Sequence, residues 1–217
     1  MNNKMIVVDG VDGSGKGVQT RRLQQALSNA GHQAILTREP GGSVAAEDIR
    51  KLLVEGEPEK WDSMTELLLM YAARRSHLID TIYPALKSGQ WVVSDRFADS
   101  SRAFQGIAGE LGLEVVEQVH QLAVGAFEPD LVLILDIPEK VALKRAQDRG
   151  GREDRFEKKG MAYQSKVRAA FLQIAKRDKR RYRVIDANQS INTVNQDIIN
   201  AVNQHFGLSL QPQPDFE

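Results

Sequence analysis

Met5-Ile6-Val7-Val8-Asp9-Gly10-Val11-Asp12-Gly13-Ser14-Gly15-Lys16-Gly17 decides how this chain is read. Its apolar start, residues 5–8, reads as a short buried strand. The residues after Gly17 place Leu23, Ala26, Leu27 and Ala30 on one face of a helix. Strand, glycine-rich turn and helix in that order are the setting of a phosphate-binding loop. The glycines let the backbone curl until successive N–H groups point into one concavity, and the helix N-terminus adds its partial positive charge there. Lys16 supplies a mobile ammonium that can follow the β- and γ-phosphates of a nucleotide. Gly10, Val11, Asp12, Gly13, Ser14, Gly15, Lys16 and Gly17 are therefore the candidate phosphate-binding residues. The pattern normally continues with Ser or Thr, whose hydroxyl ligates Mg²⁺. Here Gly17 and Val18 follow, and Thr20 lies a full helical turn beyond Lys16.

Outward from this loop the chain alternates strands and helices. Apolar runs at 33–38, 91–94, 131–135 and 181–186 read as four more strands. Between them lie helices carrying Ile49, Leu52 and Leu53; the apolar run 67–73; Val115, Val116, Val119, Leu122 and Ala123; Ala170, Leu172, Ile174 and Ala175; and Ile191, Val194, Ile198 and Val202. Ser63-x-x-Glu66 has the form of a capping box ahead of residues 67–73. Pro84 is expected to bend the helical pattern that ends near Gly89. Residues 97–112 read as irregular, and 150–160 as a polar interruption. Five strands that are apolar without alternation predict an α/β fold, a five-stranded parallel sheet with helices on both faces. We expect one P-loop domain over 1–207 with a mobile lid at about 148–160, followed by a loose polar tail over 208–217.

The composition sets bounds on the partners. Of 217 residues, 29 are basic and 29 acidic, so no net charge points to nucleic acid or to a membrane surface. The absence of cysteine excludes disulfide scaffolds, zinc–thiolate sites and thiol nucleophiles. The chain enters its first strand almost at once, leaving no room for a signal peptide, and no apolar run approaches membrane-spanning length. A cytoplasmic location follows as the expectation.

In parallel sheets ligands sit beyond the carboxyl ends of the strands. Those ends carry Asp9 and Asp12, Arg38 and Glu39, and Asp95 and Arg96. Asp95 is placed as a carboxylate working beside a phosphate loop, directly or through a metal-bound water. Arg96 can hold an acceptor phosphate bidentately. Arg149, Arg152 and Arg155 fall in the lid, where arginines can close over a γ-phosphate and exclude water. No histidine is assigned to catalysis.

Several segments together resemble thymidylate kinase of the bacterial type. They are the loop itself, Arg38-Glu39-Pro40-Gly41-Gly42, Tyr71-Ala72-Ala73-Arg74, and Asp95-Arg96-Phe97 with Ser100, Phe104, Gln105 and Gly106. Pro129-Asp130-Leu131, Asp154-Arg155-Phe156-Glu157 and Ile185-Asp186-Ala187 complete the set. The resemblance implies transfer of the γ-phosphoryl of ATP to dTMP with Mg²⁺, usually by a homodimer. It implies ATP phosphates on residues 10–17, Asp12 near the deoxyribose 3′-hydroxyl or the metal, and Asp95 as the other metal candidate. Arg38 and Arg96 would sit near the dTMP phosphate, Arg74 at the thymine ring, and Met70, Phe104 and Gln105 around the base. Catalysis would rest on Lys16, Asp95, Arg96 and the lid arginines, with Arg155 and Arg149 preferred over Arg152. The chain departs from the family in two places. Gly17-Val18 replaces the usual Ser or Thr, and Met70 stands where a phenylalanine usually stacks on thymine. Two other readings stay open here: a kinase for another pyrimidine monophosphate, and a nucleotide binder with weak catalysis.

Overall fold

A computed structural model describes residues 4–149 and 153–214. Its centre is a five-stranded sheet in the order β2-β3-β1-β4-β5. The strands are β1 (Met5–Asp9), β2 (Ala34–Arg38), β3 (Trp91–Asp95), β4 (Leu131–Asp136) and β5 (Tyr182–Asp186). Every pairing is parallel, with Ile6 opposite both Val93 and Leu131. The three inner strands are the continuous apolar runs, buried along almost their whole length. The edge strands β2 and β5 are partly exposed, as edges are.

On one side α1 (Lys16–Asn29) packs on α9 (Ile191–Phe206), and both lie against the sheet. The other side is covered by α4 (Tyr83–Lys87) and α8 (Met161–Ala175). Around them stand α2 (Val44–Val54), α3 (Ser63–His77), α5 (Ala98–Ser101), α6 (Leu113–Ala123) and α7 (Glu139–Arg149). The connection after β1 runs to one side of the sheet and that after β3 to the other. The carboxyl ends of β1 and β3 thus flank a topological switch point.

Several local expectations are corrected. The cap of α3 is Asp62, whose Oδ1 accepts from Thr65 N at 2.8 Å. Glu66 is consequently free of capping and turns inward, fully buried. Residues 97–112, expected to be irregular, are helical over 98–108, because α5 continues as a π-helical turn over Arg102–Ala108, and only the stretch from 109 to 112 lacks regular structure. Arg102 anchors that turn with ion pairs to Asp99, Glu117 and Glu128. At the other expected bend, α3 widens through a π turn, Leu78–Ile82, before Pro84 in the first turn of α4. Leu122 is 88% exposed, since it lies about 240° around α6 from the buried Val116. Leu52 is likewise exposed while Leu53 is buried, and Ala30 is exposed at the end of α1. The tail is held rather than loose over its described part. The Asn203 side chain pinches Leu210 at both N and O, and Gln213 N donates to Asn195 Oδ1. Among the described residues no helix is long and apolar enough to cross a membrane.

Candidate active site

The glycine loop joins β1 to α1 in the conformation that its composition demands. Gly10 and Gly13 have φ of 135° and 79°. A Cβ on them would run into the backbone carbonyls of Leu135 and Ala142, so only glycine fits. Gly15, also left-handed, stands at the N-cap of α1, whose first turn holds no acidic residue. The free N–H groups of that turn and the helix dipole are therefore not neutralised from within the helix. Lys16 is buried, and its Nζ donates to Gly10 O at 3.1 Å, Val11 O at 2.7 Å and Ser14 Oγ at 3.4 Å. Burial first, and then repulsion from Arg96, brings its pKa down to about 8.

Arg96 ties this loop to the end of β3. It adopts a left-handed backbone, φ 72°, unusual for a side chain with a Cβ. Its Nη1 donates to Asp9 Oδ1 at 3.1 Å, Gly10 O at 2.9 Å and Ser100 Oγ at 2.9 Å. Its Nη2 donates to Asp12 Oδ1 at 2.7 Å, and the guanidinium lies over the Phe104 ring. Burial lowers the Arg96 pKa, but Asp12 and Asp9 outweigh it and the net shift is upward. Asp9 is fully buried, with Oδ2 unpartnered among the described residues, and burial pushes its pKa up to about 6 despite Arg96 and Ser100.

Loop and arginine open onto one cleft of about 1260 Å³. One end holds Arg38, Met70, Arg74, Arg96, Phe104 and Gln105, the other Arg145, Ala187, Gln189 and Ile191, with Lys16, Gly17 and Asp95 also on its wall. Arg38 is half-exposed and paired with Glu47 at 2.9 Å. Arg74, by contrast, is buried in a network. Its Nε donates to Glu39 Oε2 at 2.7 Å and its Nη2 to Phe97 O at 3.0 Å, and the Tyr71 ring lies beneath it. Glu39 in turn meets His77 Nδ1 at 3.0 Å, and His77 Nε2 meets Thr37 Oγ1 at 2.6 Å. The wall of the cleft thus carries the phosphate-loop lysine, with Arg38, Arg74 and Arg96 toward one end and Arg145 toward the other.

A family model described as thymidylate kinase matches residues 8–198. The chain belongs to the thymidylate kinase family. It is 47% identical over 202 residues to the thymidylate kinase of Ruegeria pomeroyi, covering 93% of this chain and 95% of that one. It is 49% identical over 197 residues to that of Dinoroseobacter shibae, with 90% and 94% covered. A crystal structure of thymidylate kinase from Ehrlichia chaffeensis superposes with a TM-score of 0.74 at 30% identity, over 93% of this chain and all of that one.

Within this family member, the expected site residues fall into three groups. Residues 10–17, Asp95, Arg96, Arg38, Met70, Arg74, Phe104 and Gln105 all lie at the cleft or in the loop that forms its floor. Arg155 does not fit its expected part. It is fully buried: its Nη2 meets Glu66 Oε1 at 2.6 Å and the carbonyls of Pro58 and Trp61, its Nε meets Glu57 O, and its Nη1 meets Leu53 O. A guanidinium so buried and so engaged anchors the segment after α7, and it is not on the wall of the cleft. Arg152 lies outside the described residues, as does the side chain of Arg149. Sequence reasoning named neither Glu66 nor His77 as site support. Glu66 carried the wrong signal, a capping-box spacing, and an isolated histidine carries none. Arg145 gave no signal either.

Proposed function

We propose that this chain transfers the γ-phosphoryl group of ATP to dTMP, giving ADP and dTDP. The observation that carries the reading is one cleft in which a phosphate loop with Lys16 adjoins an acceptor end built on Arg96, in a member of the thymidylate kinase family. Such transfer depends mainly on positioning and on neutralising charge. The loop N–H groups and Lys16 would hold the ATP phosphates. The end of the cleft at Arg145, Ala187 and Gln189 would take the nucleoside of ATP. Arg96 and Arg38 would draw the dTMP phosphate in line, with Arg74 and Gln105 at its base and Met70 packing on the ring. Initial rates with dTMP, dUMP, UMP and dCMP test this reading, and preference for a base other than thymine would sink it.

The Lys16 pKa gives the reading a pH signature. Lys16 is charged in the free protein below about pH 8 and loses its proton above it. Bound phosphates favour the charged form, so kcat/KM for ATP should fall above pH 8 while kcat at saturating ATP stays flat. A flat kcat/KM to pH 9.5 would mean that Lys16 keeps its proton to that pH or takes no part in nucleotide binding.

The residues present fit a Mg²⁺ that arrives on the nucleotide. Among the described residues no group of three or more His, Asp and Glu side chains is placed to hold a metal alone. Asp95 Oδ2, however, stands 3.8 Å from the position a Cβ on Gly17 would take. Asp95 would hold the ion, directly or through water, whereas Asp12 is engaged by Arg96. A Mg²⁺ held there would supply positive charge that offsets the phosphate charge. At Gly17 the nearest atoms to an added Cβ are side-chain atoms at 3.8 and 4.0 Å, which is ordinary contact, so a serine fits. Gly17→Ser should therefore lower the Mg²⁺ concentration for half-maximal turnover several-fold, a gain of about 1 kcal/mol. No change in a Mg²⁺ titration would mean that Asp95 and water already complete the shell.

A homodimer in the cytoplasm remains part of the proposal. The dimer is supported by the large apolar side chains exposed on α3 and α6, Leu68 at 54% and Leu122 at 88%.

A further inference from the structure

Behind the acceptor end of the cleft lies a buried carboxylate that touches no part of the phosphate machinery. Glu66, on α3, is fully buried. Its Oε1 accepts from Arg155 Nη2 and from Lys159 Nζ, each at 2.6 Å. Its Oε2 is turned the other way and accepts from Gln105 Nε2 at 3.0 Å. Gln105 lines the cleft and is 1% exposed, and its Oε1 has no hydrogen-bond partner among the described residues.

An amide has a donating end and an accepting end, whereas a carboxylate has only lone pairs to offer. With Glu66 behind it, Gln105 must keep Nε2 toward Glu66, because the flipped amide would set oxygen against oxygen. The amide is therefore locked with its acceptor left over. Pyrimidine bases differ at the atom such an acceptor would meet. A 4-keto ring carries a hydrogen on N3, and a 4-amino ring presents a bare lone pair there.

We propose that Glu66 is a positioning residue for base selectivity, holding the Gln105 amide so that it offers only an acceptor and so admits 4-keto pyrimidine nucleotides over 4-amino ones. This rests on the dTMP kinase reading above. Anchoring the segment around Arg155 does not by itself require the second oxygen of Glu66, since Arg155 is also held by four backbone carbonyls. The second oxygen accepts from Gln105, a residue of the cleft wall. A buried acceptor facing a lone pair leaves two polar groups unpaired, the situation that discriminates most strongly between analogues.

Glu66→Gln tests this, because an amide oxygen that keeps accepting from Arg155 and Lys159 leaves the amide NH2 toward Gln105, which then turns its own oxygen to that NH2 and offers the cleft a donor. The readouts are kcat/KM for dTMP, dUMP and dCMP, with dissociation constants from calorimetry where turnover is too slow. The dUMP-to-dCMP ratio should fall about tenfold, the equivalent of one mispaired polar contact. The dTMP-to-dUMP ratio, which reads only the ring methyl, should stay as in the wild type. A general loosening would move both ratios together, and that result, or an unchanged dUMP-to-dCMP ratio, overturns the proposal. If Glu66→Gln does not fold, Gln105→Leu leaves Glu66, Arg155 and Lys159 in place and must lower the same ratio; otherwise the proposal fails. A wild-type protein inactive on dTMP would overturn the kinase reading instead, and is seen before any variant is made.

Discussion

Lys16→Met is expected to cut dTMP-dependent ADP formation by about 10²–10³-fold, the scale of one preorganised charge-stabilising donor. Methionine keeps an unbranched stem of nearly the same length and lacks the ammonium. The same substitution should not weaken the fold. Burial holds the Lys16 pKa at about 8, below the 10.5 of an unfolded lysine. The charged form is therefore disfavoured in the native state, and its contribution at pH 7 opposes folding. The variant should melt no lower than the wild type, an activity gained at the expense of stability in the native protein. Steady-state rates and thermal melts at pH 7 check both halves. A variant that loses activity only because it unfolds would contradict the assignment.

Arg96→Met should damage both properties. Removing the guanidinium leaves Asp9 buried with Gly10 N and Ser100 Oγ as its remaining partners, at 2.9 and 2.8 Å. Breaking a buried pair from one side costs about 3–5 kcal/mol. The pH dependence identifies the cause. Asp9 has a native pKa of about 6 against 3.8 unfolded. Its stabilising contribution is therefore complete below about pH 3.8 and is lost as pH rises through 6. Without Arg96, which lowers that pKa, the window extends upward, so the loss measured by urea unfolding should be smaller at pH 5 than at pH 7.5. An equal loss at both values would exclude Asp9 as its origin. Acceptor binding should weaken as well, since the proposed function sets the dTMP phosphate beside Arg96.

What was legible in the sequence was whatever depends on near neighbours in the chain. The inner strands are unbroken apolar runs because both their faces are covered, and Gly10, Gly13 and Gly15 stand where the backbone is left-handed. The charged residues at the ends of β1, β2 and β3 could be placed at the cleft because a parallel sheet brings strand ends together. What depends on packing between distant segments was not legible. Ser63 and Glu66 have capping-box spacing, yet Asp62 is the cap, and Glu66 instead meets Arg155, 89 residues away in sequence. Arg155 sits in a polar stretch that reads as a lid, and only its burial under the loop around residues 53–61 makes it an anchor. The Asp9–Arg96 pair spans 87 residues, and no local pattern marks Asp9 as carrying a raised pKa. The tail misled for a related reason. Two asparagines of α9, Asn195 and Asn203, hold it by backbone contacts that composition does not show.

The central claim is that the phosphate loop and the Arg96 end of the cleft act together on two nucleotides. The most direct test is ADP release from ATP and Mg²⁺ by the purified protein, with and without dTMP, with dTDP identified as the second product. The account expects release that depends on dTMP, matches dTDP one for one, and is nearly lost in Lys16→Met. Tight ATP binding with no dTMP-dependent release would contradict it.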